Sequence, residues 1–345
     1  MPHTALYHFR TDRGGSGAGE RRPRVSIGIV NNMPDAALQA TERQFVTLLR
    51  SAVLPDAAQA PAAETSGEAA CDVRIHLFTL PGIPRGEEAH ERIRSRYLDY
   101  TALAELRLDA LIVTGALPVA NVITGEQCWP QFTELVEWAR ANTASSIWSC
   151  FAAHAAVLHL DRIERRPLPR KLSGVYDIDA AGAHPLMAGL APRYRVPHSR
   201  YNDLAERDLV AAGYDVLGRS DAVGVDMFVK EAGSRFLFLQ GHPEYDGDTL
   251  MREFRRDVWR FAAGERAEPP AVPENYFAPA QAARVRELAE RAGAERNADP
   301  LTDHLERHVG VLADADWSSG AVRFFRNWIL GIAGAAAARR PGVAA

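Results

Sequence analysis

The residue with the clearest chemical potential lies where a short strand-like run ends. Residues 145–149 (SSIWS) read as a short buried strand and residues 151–160 (FAAHAAVLHL) as a helix, which leaves Cys150 at the turn between them. Ser149, Ala152 and Ala153 are small, as a sharp strand-to-helix turn requires, and such a turn lifts the side chain at its tip out of the sheet. A helix N-terminus behind a thiol stabilises the thiolate, and the backbone N–H groups just after the turn face the place where an oxyanion would form. A nucleophilic cysteine needs this arrangement; a buried structural cysteine is the alternative reading of the segment. A thiol nucleophile also needs a base, and the base an orienting partner. The run Gly241-His242-Pro243-Glu244-Tyr245-Asp246 offers His242 and Glu244 two residues apart, directly after the apolar run FLFLQ. Strand ends are where open parallel sheets gather their active sites, so Cys150, His242 and Glu244 form a candidate triad.

Those residues need elements to hold them. VSIGIV (25–30) reads as the first strand and 36–49 as a helix. VRIHLFTL (73–80) alternates as a strand, residues 111–113 give a third, 132–142 a helix and 145–149 a fourth strand. Strands alternating with helices predict an α/β fold with a mostly parallel open sheet covered on both faces. VDMFVKE and SRFLFLQ read as two further strands, followed by a helix over about 248–263. Residues 1–24 read as a flexible arm, 25–335 as a single α/β domain and 336–345 as a tail. The Ala-, Arg- and Glu-rich stretch 278–316 reads as an added helical segment rather than core, and 55–70 as a surface loop.

Composition narrows the function. The 345 residues carry 40 Lys+Arg against 44 Asp+Glu, a net charge of −4, without the basic excess of a dedicated nucleic-acid binder. Apolar residues make up 47% and charged residues 24%, an ordinary globular balance. The apolar stretch 328–338 is too short to span a bilayer, and the N-terminus has no apolar run after a basic start. Cys71, Cys128 and Cys150 are few and odd in number, so no disulfide framework is expected and the cytoplasm is the expected compartment. Gly15 and Gly17 lack the preceding strand of a dinucleotide loop.

Several segments carry a resemblance. VNNMPDAALQATERQF, DALIVTGALPVA, CWPQFTELVEWAR, IWSCFAAHAAV, KLSGVY, VPHSRY, LQGHPEYDGDTLMREFRRDV, VPENYF and FFRNW occur in that order between about residues 25 and 330. They are similar to the homoserine O-acyltransferases of the homoserine O-succinyltransferase type, a family with the class I glutamine amidotransferase-like, flavodoxin-like three-layer fold. The resemblance implies transfer of an acyl group from succinyl-CoA or acetyl-CoA to the γ-hydroxyl of homoserine through an acyl-cysteine, in methionine biosynthesis. It implies Cys150 as nucleophile, His242 as base, Glu244 as orienter and the Phe151 N–H as oxyanion donor. It implies Arg256 at the amino acid carboxylate, where a guanidinium fork makes two parallel bonds, with Arg200, Ser173 and Val119 also at the substrate site. Acyl-CoA is implied as co-substrate with no bound cofactor or metal, and a homodimer acting on small molecules, with neither nucleic acid nor membrane as partner.

The departures from the family pattern are specific. Phe151 and His154 replace its Trp and Gln, and Asp35 and Ala36 replace the lysines that follow its Met-Pro pair. Val119 stands where acetyl users carry Glu and succinyl users Gly; lacking a negative charge, it favours a succinyl donor. Serine or another hydroxy amino acid is an alternative acceptor. A triad hydrolase or amidotransferase, or a binding protein, are alternative functions. The basic run from Arg165-Arg166 to Arg170-Lys171 reads as a solvated loop, with CoA phosphates as its functional alternative. His304 and His308, four apart without an HExxH pattern, read as a solvated helix face. Trp129 and Trp138 read as packing residues.

Overall fold

Five parallel strands form the centre of the sheet in a computed structural model that describes residues 6–9, 24–54, 71–120, 122–308 and 316–338. They are β2 (Arg24–Val30), β3 (Asp72–Phe78), β4 (Ala110–Val113), β5 (Ser145–Ser149) and β10 (Arg235–Leu239), in the spatial order β3-β2-β4-β5-β10. Taken in chain order, this is the second, first, third, fourth, fifth arrangement of a doubly wound sheet, in which ligands sit beyond the strands' C-terminal ends. The strands are apolar because both faces are covered. Val25, Ile27 and Ile29 face a layer built from α1 (Asp35–Val53) and α9 (Ser318–Ala338). Leu111, Val113 and Trp148 face the layer of α3 (Trp129–Asn142) and α4 (Phe151–Asp161). Each large apolar side chain so covered contributes roughly 1.5–3 kcal/mol of transfer free energy. The three-layer α/β architecture read from the sequence is present.

Beyond β10 the sheet continues antiparallel through β9 (Gly224–Glu231), β8 (Asp215–Ser220), β6 (Arg166–Ala180) and β7 (Arg193–Asp203). This wing corrects the loop reading of the basic run: Arg166 to Lys171 belong to β6. Charges and prolines hid the strand, and the ladder tolerates the prolines because the register shifts between Pro167 and Leu172. The helices α2 (Glu87–Arg96) and α5 (Glu206–Ala211) complete the cover.

Three boundaries also change. Tyr7–Phe9, inside the segment read as an arm, forms edge strand β1 antiparallel to β3, and Tyr7 donates a 2.8 Å hydrogen bond to the buried Glu42 carboxylate. Residues 1–5 and 10–23 of that arm, among them the glycines 15 and 17, and the loop 55–70 lie outside the described residues. The stretch read as added helix rather than core builds a core of its own. In α7 (Pro279–Glu295) and α8 (Asp299–His308), Val285, Leu288, Leu301 and Leu305 bury against Leu250, Phe254 and Val258 of α6 (Thr249–Ala262). Its alanine-rich spacing concealed a narrow apolar stripe. At the C-terminus α9 runs through Ala338, past the expected domain end at 335, because alanine continues a helix well. Among the described residues, no helix is long and apolar enough to cross a membrane.

Candidate active site

Cys150 sits between β5 and α4 with φ +52° and ψ −113°, a backbone conformation that costs an L-residue about 1–3 kcal/mol. The surroundings hold it there. Its N–H donates to the Leu239 carbonyl of β10 at 2.7 Å, and its carbonyl accepts from the N–H groups of Ala153 and His154. Ala152 and Ala153 are buried against the sheet, so nothing larger fits at the turn. The thiol is part-exposed, whereas Cys71 and Cys128 are buried. Burial pushes the Cys71 thiol up to about 11 and also raises that of Cys128.

Gly115, just beyond β4, faces this turn. A Cβ built there would lie 3.4 Å from the Phe151 nitrogen and 3.6 Å from the Cys150 Cβ. The glycine keeps open the space in front of the Phe151 N–H, where a tetrahedral oxyanion would lie.

His242 reaches the thiol from the end of β10. Gly241 lets the chain pass close to β7 and β9: a Cβ there would meet Val196 at 2.5 Å and Asp226 at 2.6 Å. The His242 N–H then donates to the Pro197 carbonyl at 2.8 Å. Its Nδ1 pairs with Glu244 Oε1 at 2.9 Å, and Tyr245 stacks on the ring at 4.3 Å. With Nδ1–H donated to the carboxylate, Nε2 is left for the thiol, and the Cys150 side chain lies close enough to act on the imidazole. Burial pulls the His242 pKa down, but the Glu244 charge, the Glu244 hydrogen bond and the influence of Cys150 outweigh it and raise the pKa well above its ordinary value. The structure thus brings together the three residues read from the sequence as a triad.

A charged ladder adjoins them on α6. Glu253 accepts from Tyr245 at 2.7 Å and from the Ser199 hydroxyl. Lys171 bridges Glu253 at 3.4 Å and Asp257 at 3.1 Å. Burial raises the Glu253 pKa, yet Lys171, the bonds from Ser199 and Tyr245, and His242 bring it below the usual range. Arg256 binds Asp257 through Nε and Nη2, and its guanidinium is half-exposed beside this group. Ser173 lies directly opposite Ser199 across the β6–β7 ladder, on the same face as Lys171.

Arg200 is a correction. Its side chain is 2% exposed and spent on Asp203, the Asn202 and Val223 carbonyls, and His198, so it pins the β7–β9 corner and presents no fork to a ligand. Val119 is 75% exposed at the rim of a cleft of about 280 Å³ lined by Asn32, Pro34, Ile83, Glu126 and Phe151 among others. The cleft thus opens over the C-terminal ends of β2, β3, β4 and β5. Asp35, in place of a family lysine, accepts from the Gly86 N–H at 2.7 Å and pairs with Arg85, tying the start of α1 to the cleft wall.

Sequence reading missed Lys171, Ser199, Tyr245, Glu253 and Gly115. The available signal was parity: Lys171 and Ser173 in KLSGVY, and Ser199 in VPHSRY, share one strand face once those segments are read as paired strands. Among the described residues no group of three or more His, Cys, Asp or Glu is placed to hold a metal ion. His304 lies on α8; the His308 side chain falls outside the described residues.

Comparison with known proteins agrees on one family. The family model described as "Homoserine O-succinyltransferase" matches residues 16–333. A homoserine O-succinyltransferase of Methylorubrum extorquens is 46% identical over 306 residues, covering 89% of this chain and 86% of the relative. One of Rhodopseudomonas palustris is 45% identical over 315 residues, covering 90% and 88%. Among solved structures, a glutamine amido transferase from Methylobacillus flagellatus matches with a TM-score of 0.48 and 13% identity, over 90% of this chain and 96% of that one.

Proposed function

The chain belongs to the homoserine O-succinyltransferase family, and from that premise we propose that it is a homoserine O-acyltransferase of methionine biosynthesis. In this reading it works by two displacements through an acyl-Cys150 intermediate, with succinyl-CoA as the donor. The observation that carries the reading is Cys150 on its strained turn, beside an imidazole that Glu244 orients.

In the first displacement His242 takes the thiol proton and Cys150 Sγ attacks the thioester carbonyl. The oxyanion faces the Phe151 N–H, the C–S bond to CoA breaks, and His242 returns the proton to the departing CoA sulfur. One thioester replaces another, so the step is close to isoenergetic. Acylation also removes the thiol partner that helps to hold a proton on His242. The imidazole pKa then falls and the ring becomes a better base for the second displacement. Homoserine gives its hydroxyl proton to His242, its oxygen bonds to the acyl carbon, the C–Sγ bond breaks, and the proton returns to Cys150.

The α6 ladder suits a zwitterionic acceptor. Glu253 offers a carboxylate for the α-ammonium, and the half-exposed Arg256 fork suits the α-carboxylate. The succinyl preference is supported by the neutral Val119 at the cleft rim and by the names of the relatives. The test is an activity matrix: succinyl-CoA and acetyl-CoA against homoserine, serine and no acceptor, with glutamine hydrolysis alongside. O-succinylhomoserine as the main product supports the reading. Glutamine turnover without CoA release would replace it with a hydrolase.

A further inference from the structure

Arg165 stands out among the cations near the site. Its guanidinium lies 5.3 Å over the Phe151 ring, the residue whose N–H faces the oxyanion position. It is half-buried, and among the described residues no carboxylate comes within ion-pair distance of it. Charge–charge coupling reaches it from Cys150 and from Glu126. Glu126 is committed elsewhere, since its Oε1 accepts from the N–H groups of Val119 and Ala120 at 2.9 and 3.0 Å. Phe151, next in the chain to the nucleophile, and Glu126 both line the cleft. A desolvated guanidinium without a carboxylate, beside a reacting centre, is suited to an anion carried by the substrate.

We propose that Arg165 binds the free carboxylate of a dicarboxylic acyl donor and so favours succinyl over acetyl transfer, adding attraction where the uncharged Val119 only avoids repulsion. This rests on the acyltransferase reading above. The carboxylate carbon of a succinyl thioester lies about 4 Å from the reacting carbonyl carbon, three C–C bonds away. That short reach demands a cation close to the nucleophile turn, and Arg165 lies over the ring of Phe151, the first residue after that turn. The two backbone N–H groups on Glu126 offset its charge, so the arginine remains the dominant field at that end of the cleft. The cation–π contact with Phe151 holds the guanidinium in place, and its fork can make two parallel bonds to a carboxylate.

The experiment compares wild type with Arg165→Met and Arg165→Lys in full-length protein. The rates of Cys150 acylation are measured with succinyl-CoA and acetyl-CoA below saturation. The succinyl-to-acetyl rate ratio is expected to fall about 30-fold or more in Arg165→Met, the size of a lost charge-assisted pair. Arg165→Lys should recover part of it. The same ratio is then measured with succinyl and acetyl thioesters of N-acetylcysteamine, which lack the CoA phosphates. A fall that persists there assigns the carboxylate; one confined to the CoA donors means phosphate binding and overturns the proposal. An equal loss with both donors, as from a structural defect, also overturns it. Wild-type protein inert to both donors would instead sink the acyltransferase reading and this assignment with it.

Discussion

Replacing His154 by glutamine tests how the nucleophile helix is coupled to the histidine loop. His154 lies one turn into α4, 3% exposed, with Nε2 at 2.8 Å from Gln240 Oε1. Gln240 in turn donates to the Val225 carbonyl and immediately precedes Gly241-His242, so the bond spans from the cysteine turn to the base. Burial pulls the His154 pKa down to about 4, against the pull of the Gln240 bond and with the help of Arg200 and Arg165. An unfolded histidine titrates near 6.5, so the native state refuses a proton that the unfolded state accepts across this interval. The sign follows: the stability associated with neutral His154 is present above about pH 6.5 and is lost as pH falls toward 4. A gap of about 2.5 units at about 1.4 kcal/mol each amounts to about 3.5 kcal/mol, most of it lost by pH 4.5. Glutamine has no proton to gain, keeps an amide N–H for Gln240, and leaves every other titrating group in place. Urea unfolding of both proteins at pH 7.5 and 4.5 reads the difference directly. Wild type should lose about 2–3 kcal/mol more than His154→Gln between those values. Equal losses would refute the claim that His154 is held neutral in the fold.

Glu244→Gln should lower the His242 pKa and slow acyl transfer by about 10²–10⁴-fold, followed by the imidazole NMR titration and the pH–rate profile. Because the native His242 pKa is raised, its stabilisation is present below about pH 6.5 and fades as pH rises through the native value; the variant should show less of that loss. Gly115→Ala should cut kcat about 10²-fold by placing a methyl 3.4 Å from the Phe151 nitrogen, with the thermal midpoint little changed. Glu253→Gln should raise the KM for homoserine about 10-fold or more while leaving the acylation half-reaction near wild type, seen by single-turnover kinetics.

The parallel centre and the triad were legible because their signals are local. Runs such as ALIV and RFLFL are rich in apolar residues because they are buried on both faces, SSIWS combines small and large buried residues, and Cys150 and His242 come at or just after such strand ends. The antiparallel wing was not legible. RPLPRKLSGVY has charges at its start because that end is exposed, and no periodicity shows which strand it pairs with. Arg200 was misplaced for a related reason. An arginine in a resembling motif looks the same whether its fork is open to a ligand or closed on Asp203, and only the contact made by Asp203 and Val223 decides it. Glu253 and Asp257 carry no local signal in the charged run EFRRD. Their burial depends on Lys171 arriving from β6, far away in the sequence.

The central claim is that the Cys150 thiol carries the acyl group between donor and acceptor. Purified protein is mixed with succinyl-CoA without an acceptor, quenched in acid within seconds, digested and examined by mass spectrometry. A succinyl mass is expected on the peptide containing Cys150, absent from Cys150→Ala and discharged when homoserine is added. An unmodified Cys150 peptide while CoA release proceeds would contradict it.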